Sequence, residues 1–337
     1  MDRPRNWCRA PLSRRLTACS EGGEYAATLP AGVPEPFQCG LLWFLHIGKT
    51  GGTTVTSHFR EMAVRSNATF LHLYSADHLR RWSDWNSSAA AADAPSVCEA
   101  RDCGAFCCIE RIASQWEAVA TILRDHPSPR VIVVQHHSSA GFGEWIVDGL
   151  LAPLRESLAS RSCDVRTATV LRHPTDYVTS RLSYSLRGWM EGKNAAEVKR
   201  SGLAPTNADE AARALLTSYA QGQGKPVANL TQDPQTTYLM KGTHPPRKRT
   251  WCPHSAAAAE QLSRIDLVGR TAELDAFMDT ANAMMGWPRT PAELRNPTRD
   301  EYKEAVGRQL REAGWTMDPD CDWRAYSQFC RVPGSPP

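Results

Sequence analysis

Chemistry-bearing residues concentrate in three short stretches of the chain. The first is His46-Ile47-Gly48-Lys49-Thr50-Gly51-Gly52-Thr53-Thr54, which follows an apolar run and precedes a helical pattern. A glycine turn at a helix N-terminus presents backbone N–H groups and the positive end of the helix dipole, and both favour an anion. Lys49 adds a point charge, Thr50, Thr53 and Thr54 add hydroxyl donors, and Gly51 and Gly52 let the backbone approach closely. The second stretch places Ser180 eight positions after Arg172. A guanidinium grips a phosphate through two parallel hydrogen bonds, and a hydroxyl two helical turns further on can share that phosphate. The third is Gln135-His136-His137, with Glu144 shortly after it. An imidazole titrates near neutrality and can exchange a proton there, which makes His136 and His137 a chemically rich pair directly after a β-branched run. Two anion grips and a histidine pair in one chain suggest a site for a phosphate-bearing ligand.

The glycine loop is not the nucleotide-triphosphatase loop, whose pattern is Gly-x-x-x-x-Gly-Lys-Ser/Thr. Gly48-Lys49-Thr50 would supply its end, but the first glycine falls on Trp43. The stretch from His46 to Thr54 instead resembles the 5′-phosphosulfate loop of the sulfotransferases that use 3′-phosphoadenosine-5′-phosphosulfate (PAPS). It is most similar to the Golgi carbohydrate branch, which includes the heparan sulfate 2-O- and 6-O-sulfotransferases. Gly48 departs from that pattern, which has Pro or Gln there. Arg172, Pro174 and Ser180 resemble the 3′-phosphate motif of the same family, and Gln135 to Phe142 is similar to its Gly-His-x-x-Phe stretch with a longer spacing. Gln235-Thr236-Thr237-Tyr238-Leu239 and Asp266 to Asp275 extend the likeness over roughly residues 41–285.

The resemblance implies an α/β, P-loop-like three-layer fold, with a central parallel sheet, helices on both faces and a helical C-terminal part. It implies an O-sulfotransferase that moves a sulfuryl group from PAPS to an acceptor hydroxyl, with a carbohydrate as the expected acceptor and no metal required. Lys49 would neutralise charge on the departing nucleotide, while Thr50, Gly51, Gly52, Thr53 and Thr54 would hold the phosphosulfate. Arg172 and Ser180 would hold the 3′-phosphate. The histidine that serves the family as base would be His137, with His136 next and Glu144 third because some relatives use a carboxylate. The alternatives are a P-loop kinase or ATPase, or a nucleotide-binding relative without a base.

The elements that must position these residues are legible from periodicity. An apolar run from Leu41 to Leu45 feeds a helix from about Thr53 to Arg65. Arg130 to Gln135 and Thr167 to Leu171 are β-branched runs suited to a parallel sheet, and helices are expected over 113–123, 145–158 and 175–189. Pro174 is tolerated in a helix's first turn. Further helices are expected over about 208–221, 256–263, 272–285 and 299–313, with a short strand at 265–269. Strands alternating with helices make a parallel sheet, whose ligands sit beyond the carboxyl ends of the strands. Lys49, His136-His137 and Arg172 all fall at such ends.

Residues 1–38 are polar and Pro-rich and read as a mobile arm or stem, 39–330 as the catalytic domain, and 331–337 as a tail. A Cys-rich insert is expected over about 76–108. A net charge of +3 over 337 residues gives no argument for nucleic acid as a partner. No apolar run reaches the roughly 18 residues that a membrane span needs, and no signal peptide is readable in the first 15 residues. Eleven cysteines, with Cys98, Cys103, Cys107 and Cys108 clustered and Cys321 near Cys330, favour disulfides in an oxidising compartment. The Golgi lumen or secretory pathway is therefore the expected location. Sequons at Asn67, Asn86 and Asn229 are compatible with that route. The odd cysteine count leaves a thiol over, and Cys163 is the candidate for it.

Overall fold

The computed structural model describes residues 16–17, 39–73, 123, 131–136, 142–161, 163–191, 207–220, 235, 239, 260–290 and 300–313. The strands are β1 (Leu16–Thr17), β2 (Gly40–Leu45), β3 (Thr69–Leu73), β4 (Val131–His136), β5 (Asp164–Leu171) and β6 (Leu267–Arg270). Every pairing is parallel, in the order β1-β6-β5-β2-β4-β3. β1 contributes only two residues, set against Leu267 and Val268 at the β6 edge.

Alternation along the strands builds a core on each face, because successive side chains point to opposite sides of the pleat. Leu42 and Phe44 of β2, Val133 of β4 and Val170 of β5 pack with Val55, Phe59 and Met62 of α1 (Gly52–Arg65) and with Phe277 and Met278 of α5 (Leu274–Met284). Leu41, Trp43 and Leu45 point the other way. They join Leu154 and Leu158 of α2 (Ala152–Leu158) and Tyr177, Leu182 and Leu186 of α3 (Pro174–Met190). That second core also takes in α4 (Ala208–Ala220) and α6 (Asp300–Glu312), which pack on α3. The result is the three-layer α/β arrangement expected from the sequence, and it buries all of β2.

Details differ from expectation at several places. Thr69–Leu73 is a strand that periodicity did not single out, five residues being too few to show a period. The helix expected from 145 begins at Phe142 and winds as a π-helix to Leu151 before becoming α2. The change comes just ahead of Pro153, which has no N–H to donate. The helix expected over 113–123, the 76–108 insert with its cysteines, Cys321, Cys330, and the sequons at Asn86 and Asn229 lie outside the described residues. Asn67 is exposed in the turn after α1.

Cys163 is not the unpaired thiol. It is bonded to Cys39, 124 positions away in sequence. β2 and β5 are neighbours in register, Gly40 opposite Asp164, so the residues just before them meet with Cα atoms 4.6 Å apart. That neighbourhood is a property of the sheet, which cysteine spacing does not reveal. The bond closes a long loop, so replacing both cysteines with alanine is expected to remove about 2–4 kcal/mol of stability. A denaturant midpoint identical to that of the parent chain would contradict this.

At the same end, Asp266 fastens β5 to the segment before β6. Its carboxylate accepts hydrogen bonds from the N–H and the hydroxyl of Thr167, both at 2.8 Å, and from Arg155 at 3.0 Å. The base of the sheet is thus cross-linked covalently and by hydrogen bonds, while the opposite, carboxyl end is left to loops.

Candidate anion-binding site

Each expected site residue that the structure describes is reached by following a strand to its carboxyl end. Leu45 closes β2 between His136 of β4 and Thr169 of β5. The chain is then held at once: the His46 N–H donates to the His136 carbonyl at 2.8 Å, and the Thr169 hydroxyl donates to the Leu45 carbonyl at 2.9 Å. The buried ring of His46 shares a 2.7 Å hydrogen bond between its Nδ1 and the Gln135 amide nitrogen. With Nδ1 accepting from that amide, Nε2 carries the ring proton. His46 is therefore a brace inside the loop.

Beyond it the loop makes its turn with two residues in the left-handed region, Lys49 at φ 70° and Gly51 at φ 85°. Positive φ is ordinary for glycine and strained for lysine, and such strain gathers where function over-determines the backbone. The Thr50 hydroxyl donates to the Ile47 carbonyl at 2.8 Å, closing the turn from inside, and Thr50 is fully buried. Its hydroxyl proton therefore serves the loop itself. The first intrahelical bonds of α1 run from Thr54 and Val55 N–H to the Gly51 carbonyl, so the N–H groups of Gly52 and Thr53 precede them at the helix mouth. Thr53 is exposed there and Thr54 is buried.

Arg172 follows directly on β5. Gln235 clamps its backbone on both sides: the Arg172 N–H donates to Gln235 Oε1 and Gln235 Nε2 donates to the Arg172 carbonyl, each at 2.8 Å. The guanidinium is thereby fixed in direction, and its Nη1 donates to the Lys49 carbonyl at 3.1 Å. Its Nε is buried and finds no acceptor among the described residues. Burial lowers the pKa of this guanidinium, with Asp176 and Tyr177 acting in the opposite sense. Two turns into α3, Ser180 is buried on the same helix that Pro174 opens. A third strut comes from Thr271, just past β6. Its hydroxyl lies 2.9 Å from the Thr50 carbonyl and 3.2 Å from the Leu171 carbonyl, tying the loop to the end of β5.

The electrostatics of this corner are one-sided. Burial brings the Lys49 pKa down to about 8, helped by the positive charges of Arg181, Arg172 and Arg187. The ammonium lies 3.8 Å from the centre of the Tyr184 ring. Asp176 acts on Arg172, and Glu191 pairs with Arg187 at 2.7 Å. Four cations from the β2 loop, the β5 end and α3 thus converge where two strand ends open. Clustered positive charge of this kind attracts anions in general.

The candidate bases fare differently. His136 ends β4 fully buried, its ring edge-on to Trp43 with centroids 5.4 Å apart. Trp43 itself lies inside β2 and takes no part in the loop. His137 lies outside the described residues, as does the side chain of Glu144. Among the described residues no group of His, Cys, Asp or Glu side chains is arranged to hold a metal ion.

Tyr184 carried no signal in the sequence, being one aromatic among several on an amphipathic helix. Gln235 and Thr271 fall in recognised stretches, but their work on the backbone of Arg172 and Thr50 depends on tertiary contacts. The sequence matches none of the protein-family models, and no curated protein matches it at a significant level.

Proposed function

We propose that the chain is a PAPS-dependent O-sulfotransferase acting on a hydroxyl, with a carbohydrate as the expected acceptor class. One observation carries the reading: the Arg172 guanidinium donates to the Lys49 carbonyl. The two motifs, 123 positions apart in sequence, thus meet at one corner of the sheet, and in this reading a single doubly phosphorylated nucleotide is held between them. The chain's residues also fit that substrate on other counts. The buried Arg172 Nε has a hydrogen bond to give, and a Cβ on Gly52 would run into the His46 ring, leaving bare backbone at the helix mouth.

Sulfuryl transfer is an in-line displacement at a charged centre, in which positioning and electrostatics carry most of the rate. In this reading the acceptor oxygen forms a bond to sulfur as sulfur's bond to the bridging phosphosulfate oxygen breaks. The electron pair leaves on adenosine 3′,5′-bisphosphate, and the hydroxyl proton passes to a base. Lys49 faces the developing negative charge on the leaving oxygen. Gly52 and Thr53 donate N–H groups to the 5′ end, and Gly51, Thr50 and Thr54 shape the loop that offers them. Arg172 and Ser180 take the 3′-phosphate. His137 is the proposed base, since the ring of His136 is enclosed against Trp43. An oxidising compartment such as the Golgi lumen accords with the Cys39–Cys163 bond.

The direct test is incubation with sulfur-labelled PAPS and a panel of glycans, lipids and small alcohols. Labelled ester with release of the bisphosphate is expected. Hydrolysis of ATP with magnesium, and no response to PAPS, would favour the kinase or ATPase alternative. Bisphosphate binding without transfer to any acceptor would favour the non-catalytic one.

Titration of Lys49 gives a second expectation. An ammonium that loses its proton near pH 8 in the free protein binds anions best below that value. Affinity for adenosine 3′,5′-bisphosphate should fall as pH rises through 8, and binding near pH 8 should take up part of a proton. Calorimetry in two buffers of different ionisation enthalpy reads that uptake directly, and zero uptake at pH 8 would count against Lys49 as a ligand.

A further inference from the structure

Lys49 sits in an unfavourable place before any anion arrives. Arg172 faces it from the end of β5, and Arg181 and Arg187 face it from α3. The segment after β6 meets the loop with Thr271 and Leu274, neither of which titrates. What faces the ammonium at close range is an aromatic plane, the Tyr184 ring at 3.8 Å. The ring quadrupole attracts a cation over its face, by more where water is partly excluded. Tyr184 is itself 55% exposed, so it contributes little to the core and its side chain is available for another task.

We propose that Tyr184 is a positioning residue for Lys49, its ring face holding the ammonium at the mouth of the site until an anion takes it over. The ring offsets part of the repulsion from the three arginines. It does so without a carboxylate, which would compete with the incoming anion and repel it. A cation held by a ring gives way to a phosphate oxygen easily, because the full charge of the phosphate outweighs a quadrupole. The inference rests on the nucleotide reading for the identity of the anion, whereas the link between Tyr184 and Lys49 stands on the contact alone.

The test uses the full chain and three forms, the parent, Tyr184→Phe and Tyr184→Leu. Lys49 is labelled with an amine-reactive reagent across a pH series, and its peptide is quantified by mass spectrometry. In Tyr184→Leu the midpoint of labelling should fall by about half to one pH unit, since the charged form loses its partner. Tyr184→Phe keeps the ring face and should stay with the parent. Bisphosphate binding is the second readout. Because the ring is given up when the anion binds, Tyr184→Leu should bind about three- to eight-fold more tightly than the parent at pH 6.5 and about as well at pH 8.5, the pattern expected when only the free charged form loses its partner. Loss of packing alone would weaken both pH values alike. An unchanged labelling midpoint in Tyr184→Leu, or an equal fall in Tyr184→Phe, overturns the proposal. Failure of the parent chain to bind the bisphosphate would instead remove the nucleotide reading and leave the labelling result to judge Tyr184.

Discussion

Lys49→Ala is expected to lower turnover by about 10²–10³-fold while changing the acceptor KM little, the usual cost of losing one charge aimed at a developing oxyanion. Arg172→Ala should show the opposite split. Its guanidinium touches the loop through the Lys49 carbonyl and offers a buried Nε to the ligand, so nucleotide KM should rise at least ten-fold with a smaller effect on kcat. Arg172→Lys should not restore affinity, because a single ammonium cannot reproduce the fork that reaches both the loop carbonyl and a phosphate. Steady-state kinetics with PAPS varied at saturating acceptor separate the two residues. Equal losses in kcat for both variants, with unchanged nucleotide KM, would dissolve the division between leaving-group and 3′-phosphate roles.

Gly52→Ala should be nearly as damaging although it removes nothing. A Cβ there would lie 1.8 Å from His46 Cδ2 and 2.1 Å from Nε2. The His46 ring cannot retreat freely, since its Nδ1 is bonded to Gln135 and its backbone N–H to His136. The helix mouth must move instead, and a displacement near 1 Å costs on the order of 100-fold in a positioned reaction. Stability should fall by a further 1–3 kcal/mol from overpacking. His46→Ala introduced alongside Gly52→Ala makes room and should recover bisphosphate binding in part, as a coupled pair does. Full nucleotide affinity in the single variant, measured by calorimetry, would show that the loop tolerates crowding there.

Much of this architecture was readable in the residues alone, and the reasons are particular. The run from Leu41 to Leu45 is apolar on both faces of the pleat, which only a central parallel strand requires, and β2 is buried throughout. Pro174 marked the start of α3, and Gly51-Gly52 marked the turn into α1. Lys49 and Arg172 each stood at a strand-to-helix switch, so their convergence followed once both strands were placed in one sheet. The Cys39–Cys163 bond was not readable, and the sequence pointed to the wrong state for Cys163. A disulfide needs two Cα atoms brought close, and residues 39 and 163 become neighbours only through the order of the strands. Tyr184 was hidden for a related reason. Its ring matters through the atom above it, and helical periodicity says nothing of what another loop lays across an exposed side chain.

The clamps on the loop have an implication for how the site comes into being. By the time residue 190 has left the ribosome, the chain holds Lys49, Arg172 and Ser180, and the sheet from β2 to β5 could already have formed. Gln235, which fixes the Arg172 backbone, and Thr271, which ties Thr50 to Leu171, are synthesised later. If the proposed nucleotide binds at this corner, competence to hold it is acquired late in synthesis, after Gln235 and Thr271 have joined the fold. A fragment stopped short of Gln235 would carry both anion-gripping sequences without the struts that aim them.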